Sequence, residues 1–222
     1  MLYHALIFDF DGTILDTETP EFHIWQQIYR EHGTELELAE WVSGVGAIGV
    51  FDPHAHLQTR VAHPLPDYDA MRSEVRARHH AAIEILSPRD GVTQALTAAR
   101  ARGMRTAVAS SSTHEWVDAH LRRLGLFDSF DVVRCRDDVA PGRAKPHPDI
   151  YLAALAALGV RADAAIAVED SLNGMRAARA AGIFTVVTPN PVTAHLDFAE
   201  ADLVLNETRN LRNLVLSYTS PS

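Results

Sequence analysis

The chain has 222 residues, 47% of them hydrophobic, enough for one good core and a small second unit; its net charge of −9 argues against nucleic-acid or anionic-membrane partners. It has no apolar run long enough to span a membrane and no charged-then-apolar start, so neither a membrane helix nor a leader is expected. The one cysteine, Cys135, excludes an internal disulfide, fits a reducing cytosol and reads as packing at a strand end.

The first predicted strand is an apolar run from Ala5 that carries Asp9 and Asp11 to its end, where Gly12 breaks it. Residues i and i+2 of a strand share a face, so the two carboxylates begin on one side. Burying like charges together is costly unless a cation or chemistry compensates. The pattern predicts a metal-assisted reaction centre at the carboxyl edge of a sheet. A calcium loop also opens with D-x-D, but it needs glycine sixth and glutamate twelfth. Counted from Asp9, those positions are Ile14 and Pro20, which excludes it.

Residues 18–32 follow as a helix, with Phe22, Trp25, Ile28 and Tyr29 at helical spacing. Residues 35–87 stay mostly helical, with Met71, Val75, Ile83 and Leu86 as apolar positions and no β-branched strand run. The stretch reads as an all-helical insert. Inside it, Gly44-x-Gly46-x-x-Gly49 spells a dinucleotide fingerprint, but no strand precedes it and no helix opens within it, so it reads as a flexible loop. Seven of the twelve histidines lie between residues 23 and 80. His54-Ala-His56 lacks a third metal ligand at convincing spacing and reads as surface histidines.

From Pro88 onward helices alternate with short apolar strands at 105–110, 131–135, 165–168, 183–188 and 202–205. Alternation of this kind predicts an α/β fold, a Rossmann-like parallel sheet covered by helices. Ligands of such sheets bind beyond the carboxyl ends of the strands. The polar residues there are Asp9 and Asp11, then Ser110, then Glu169 and Asp170. Ser112 and Glu115 read as a capping box for the next helix, leaving Ser110 for another task. The chain has 19 arginines and a single lysine, Lys145, which suggests a position that needs a compact ammonium.

These residues carry a resemblance. Asp9-Phe-Asp11-Gly12-Thr13-Ile-Leu-Asp16-Thr17, Val108-Ala-Ser110, Lys145-Pro-His-Pro148 and Glu169-Asp170-Ser171-Leu-Asn-Gly174 resemble, in order, the four motifs of the haloacid dehalogenase (HAD) superfamily. The resemblance implies a core of residues 1–16 and 88–222 with a helical cap at 17–87. It implies that Asp9 is the nucleophile, Asp11 the general acid/base, Ser110 the phosphoryl-binding hydroxyl and Lys145 the neutralising ammonium. Mg2+ would be held by Asp9, Asp11, Glu169 and Asp170. The cap loop, with Gly44, Gly46 and Gly49, would help choose the substrate. Asp11 sets the chain apart from the family's dehalogenases, and the absence of a cap lysine sets it apart from its phosphonate-cleaving members. The expected activity is a cytoplasmic, Mg2+-dependent phosphatase of a small phosphorylated metabolite, working through a phospho-aspartate. The alternative is a sugar phosphomutase resembling β-phosphoglucomutase, which would need a second phosphate-binding group in the cap. Residues 44–51 supply no basic residue for it, and Glu21 stands where those mutases place a histidine.

Overall fold

The computed structural model describes residues 3–42 and 51–218, so the predicted loop at Gly44, Gly46 and Gly49 lies outside the described residues. Between β1 (Ala5–Phe8) and β2 (Arg105–Ala109) run α1 (Glu18–Glu31), α2 (Leu38–Val42), α3 (Pro53–Arg60), α4 (Tyr68–Glu84) and α5 (Val92–Ala101). Then come α6 (His114–Arg123), β3 (Val132–Arg134), α7 (Asp149–Leu158), β4 (Ala165–Glu169), α8 (Leu172–Ala180), β5 (Phe184–Val187), β6 (Leu203–Val204) and α9 (Leu211–Tyr218). The strands make one parallel sheet in the order β3-β2-β1-β4-β5-β6.

Every residue of β1 and β4 is buried, as expected of strands covered on both faces. Leu6 and Phe8 face one layer with Val108 and Val168, against apolar residues of α5, α6 and α9. Ala5 and Ile7 face the other with Ala107 and Ala167, against α7 and α8. The chain leaves β1 for β2 and β3 on one side, then crosses to β4 and works outward on the other. Strand order therefore reverses between β1 and β4, and the crevice at their carboxyl ends is where such a sheet binds its ligand.

Helices α1 to α4 bury a cluster of their own, including Trp25, Tyr29, Leu57 and Met71, which Val192 joins from the sheet side. The histidines of α3 are tied into this packing instead of lying free on the surface. His56 Nδ1 is 2.8 Å from the Tyr29 hydroxyl and His54 Nε2 is 3.0 Å from the Pro66 carbonyl, both residues half-buried. Helix α9, absent from the predicted elements, packs on α5. Its eight residues are too few to show a helical period against a short apolar run. No helix among the described residues is long and apolar enough to cross a membrane.

Candidate active site

The β1 pairing continues one residue past the strand, with Asp9 N–H donating to the Val168 carbonyl at 2.9 Å. The chain then turns sharply: the Phe10 carbonyl accepts from the amides of Thr13, Ile14 and Leu15, and Gly12 adopts φ 78°. A Cβ on Gly12 would lie 2.0 Å from Asp170 Oδ2, so both the left-handed backbone and the close approach of the β4 carboxylate require glycine.

Lys145 binds this turn to the end of β4. Its ammonium donates to Asp9 Oδ1 at 2.5 Å and to Glu169 Oε1 at 2.6 Å. The Tyr151 hydroxyl of α7 donates to the same Glu169 oxygen at 2.5 Å, while Oε2 receives only longer contacts from Asp170 N and Ser171 Oγ. Asp170 accepts from Thr13 Oγ1 at 3.2 Å and from Asn190 Nδ2 at 2.7 Å. Asn190 is itself fixed, its Oδ1 accepting from the amides of Val192 and Thr193. Asp11 has a different set of partners: Ser112 Oγ at 2.6 Å, Trp116 Nε1 at 2.9 Å and Thr17 Oγ1 at 3.2 Å.

The sequence-predicted residues Asp9, Asp11, Lys145, Glu169 and Asp170 thus meet at one crevice. Ser110 lies beneath it, almost fully buried, its Oγ accepting from Ser112 N at 3.0 Å. The cavity wall itself is formed by Ser111 and Ser112, and the Ser111 hydroxyl is buried without a hydrogen-bond partner. The predicted capping box shifts by one residue: Thr113 caps α6 by accepting from Trp116 N. Ser112 is drawn off because a carboxylate is a stronger acceptor partner than a backbone amide is a donor. Sequence reasoning missed Trp116, Tyr151 and Asn190 altogether. Their neighbours in the chain carry no chemical pattern, and only the packing of α6, α7 and the segment after β5 brings them here.

The electrostatics are lopsided. Burial pushes the Asp9 carboxyl up to about 7, against the pull of Lys145. Burial, then the charges of Asp9 and Glu169, raises Asp170 well above the ordinary carboxylate range. Burial pulls Lys145 down, but the Asp9 and Glu169 carboxylates outweigh it and keep the group an ammonium. One ammonium therefore faces three buried acids. Oxygen atoms of Asp9, Glu169 and Asp170 lie within 4.8 Å of one another, a grouping that could hold a metal ion. A hard, all-oxygen donor set with uncompensated negative charge fits a cation such as Mg2+.

Above the carboxylates opens a cavity of about 690 Å³. Asp9, Asp11, Lys145 and Asp170 line it together with Glu18, Glu21, Trp41, Phe51 and His79, which come from α1, α2, α4 and the segment before α3. His79 Nε2 donates to the Thr17 carbonyl at 2.8 Å, and its ring stacks on that of Trp116.

A family model described as haloacid dehalogenase-like hydrolase matches residues 3–182. YhcW of Bacillus subtilis, a phosphatase by name, is 41% identical over 198 residues, with 89% of each chain covered. A Thermotoga maritima protein named phosphorylated carbohydrates phosphatase is 31% identical over 181 residues, covering 81% of this chain and 82% of that one. Among solved structures, CbbY from Rhodobacter sphaeroides in complex with phosphate superposes with a TM-score of 0.72 at 30% identity, covering 95% of this chain and 96% of the other.

Proposed function

The chain belongs to the haloacid dehalogenase-like hydrolase family, and from that premise we propose that it is a Mg2+-dependent phosphatase of a small phosphorylated metabolite, acting through a phospho-aspartate on Asp9. The observation that carries the reading is the asymmetry of the two motif carboxylates: Asp9 is paired with an ammonium and Asp11 with neutral donors.

An Asp9 carboxylate oxygen attacks phosphorus as the bond to the leaving oxygen breaks, and Asp11 delivers a proton to that oxygen. The alcohol departs with the proton and Asp9 carries the phosphoryl group as an acyl phosphate. Asp11, now ionised, takes a proton from water as its oxygen attacks phosphorus. Inorganic phosphate leaves and both carboxyls return to their starting states. Lys145 screens Asp9 from the phosphoryl oxygens that it approaches. The Ser110 hydroxyl belongs with phosphoryl binding, and the unpartnered Ser111 hydroxyl beside it is a further donor. Asp9, Asp170 and the Asp11 carbonyl, with Glu169 beside them, would hold Mg2+, which supplies neutralising charge to the phosphoryl oxygens. Helices α1 to α4, within the cap span 17–87, would close over the cavity and exclude water from the first step. The acidic charge and the lone Cys135 agree with a cytoplasmic enzyme.

The test is phosphate release from a panel of small phosphate monoesters, with Mg2+ and with chelator, for the wild type and Asp9→Asn. Mg2+-dependent release that Asp9→Asn abolishes is expected. Hexose 1-phosphates are assayed in parallel for conversion to 6-phosphates in the presence of a bisphosphate primer. Isomer conversion with little free phosphate would overturn the hydrolase reading in favour of a phosphomutase.

A further inference from the structure

The turn after β5, residues 188–193, touches both the carboxylate cluster and helices α1 to α4. Asn190, almost fully buried, donates from Nδ2 to Asp170 Oδ2 at 2.7 Å. Val192, two residues on, is buried in the cluster of α1 to α4 with Phe22, Trp25 and Trp41. It is the one member of that described cluster from outside residues 17–87. Arg89, between α4 and α5, anchors the start of the turn. Its guanidinium donates to the carbonyls of Thr188 at 2.9 Å and Pro189 at 2.7 Å, and to that of Gly12 at 2.5 Å. The turn after β1, the return from α4 and the turn after β5 are therefore one hydrogen-bonded piece.

Asn190 can face Asp170 in one way only. Its Oδ1 accepts from the amides of Val192 and Thr193, both at 2.9 Å. A flipped amide would set its NH2 against two N–H groups and its oxygen against a carboxylate. The group aimed at Asp170 is thus a donor with no acceptor. Thr13 Oγ1 holds the other Asp170 oxygen at 3.2 Å, the longer of the two contacts. Asp170 belongs to the three carboxylates whose oxygens group within 4.8 Å, yet Lys145 pairs with Asp9 and Glu169 instead. Among the described residues, the Asp170 side chain has these two neutral donors and no ion pair.

We infer that Asn190 is a positioning residue for Asp170, and that through Val192 the seating of α1 to α4 and metal binding at Asp170 favour one another. This rests on the Mg2+ part of the phosphatase reading and adds to it a dependence of the metal site on the helical unit. Outer donors that orient a metal-ligating group change affinity by about 10–100-fold when they are removed. The Val192 amide donates to Asn190 Oδ1, so a shift of Val192 in its cluster reaches the side chain that aims Asp170 without touching a metal ligand. Linkage makes the effect reciprocal: a metal that holds Asp170 also holds Val192, and with it the cluster of α1 to α4.

The experiment uses the full chain and Mg2+ alone, titrated by calorimetry into the wild type, Asn190→Ser and Val192→Ala. Serine keeps an oxygen for the turn amides but is one bond too short to reach Asp170. Asn190→Ser should weaken Mg2+ binding about tenfold or more, and Val192→Ala about threefold or more. Amide hydrogen exchange gives a second readout. Mg2+ should slow exchange in α1 and α4 of the wild type, and slow it less in both variants. Val192→Ile, which keeps the cluster filled, should bind Mg2+ as the wild type does. A lower Tm with unchanged Mg2+ affinity in either of the first two variants would make these contacts merely structural and overturns the inference. Exchange in α1 and α4 that Mg2+ leaves unaltered in the wild type also overturns it. If Asn190→Ser does not fold, Val192→Ala carries the same test. A wild type that binds no Mg2+ fails the metal reading itself, a result distinct from binding that the variants leave unmoved.

Discussion

Gly174 sits in the first turn of α8, where helix propensity alone favours alanine by about 0.8–1.0 kcal/mol. The structure reverses that sign. A Cβ at this position would lie 1.9 Å from Glu169 Oε2, 2.0 Å from its Cδ and 2.1 Å from Oε1. The far end of a flexible side chain could swing away, but this one is fully buried and its Oε1 is held by Lys145 and Tyr151. Gly174→Ala must therefore push the carboxylate off Lys145 or displace the start of α8. Overpacking costs about 1–3 kcal/mol, and fully breaking a buried ion pair about 3–5 kcal/mol, an upper bound here because the carboxylate moves and is not removed. Set against the propensity gain, overpacking leaves a net loss of about 1 kcal/mol and strain on the ion pair adds to it, so a loss of about 1–3 kcal/mol is expected, which for a chain of this size lowers Tm by roughly 2–12 °C. Urea unfolding followed by circular dichroism measures the stability, and kcat/KM against a small phosphate ester, over a Mg2+ titration, measures the site. Activity should fall with the stability, because Lys145 loses one of the two carboxylates that aim it. A Gly174→Ala protein as stable as the wild type and equally active would show that Glu169 has room to move, and would refute the fixed Lys145–Glu169–Tyr151 arrangement as a requirement.

Two further outcomes are expected. Lys145→Arg should lose most activity, about 100-fold or more if the loss matches that of one preorganised electrostatic donor, because the planar fork is wider than the ammonium held between Asp9 and Glu169; full activity in an activity assay would show that the lone lysine is incidental. At the start of α6, partial burial pulls His114 down, but its hydrogen bonds to Asp138 at 2.8 Å and Asp118 at 3.4 Å outweigh this and raise it above the ordinary value. A raised histidine stabilises the fold fully below its unfolded pKa of about 6.5 and loses that contribution as pH climbs through the folded value, so His114→Gln should lower Tm more at about pH 5.5 than at about pH 8.5. An equal effect at both pH values would mean that the charge of His114 contributes nothing.

The sheet and its carboxyl-edge residues were legible because β1, β2 and β4 are short apolar runs with a candidate site residue at or just past the end. Asp9 and Asp11 follow β1, Ser110 follows β2, and Glu169 ends β4, so reading along the chain also reads along the crevice. Lys145 stood out by composition alone. The supports of these residues were not legible, because each is a contact between elements distant in sequence. Trp116 reaches Asp11 across 105 positions, and Asn190 reaches Asp170 across 20. The same limit explains the misplaced capping box. A Ser-Thr pair before a helix offers two candidate caps, and the choice between them is made by Asp11, an acid about a hundred residues upstream.

The two motif aspartates differ in their partners more than in their position. Asp9 Oδ1 faces an ammonium, which has three donors and no acceptor, so a proton on that oxygen would have no partner on Lys145. Asp11 Oδ2 faces the Ser112 hydroxyl, which can turn from donor to acceptor within the same 2.6 Å contact, while Trp116 and Thr17 keep donating to Oδ1. A proton can therefore come and go on Asp11 Oδ2 without orphaning a buried group, whereas Asp9 is held as the anion on the side facing Lys145. An acid/base must be stable in both protonation states, and a nucleophile needs only one. The hydrogen-bond inventory thus supports the proposed roles, the proton on Asp11 and the attack on phosphorus by Asp9, independently of the order of the two residues in the motif.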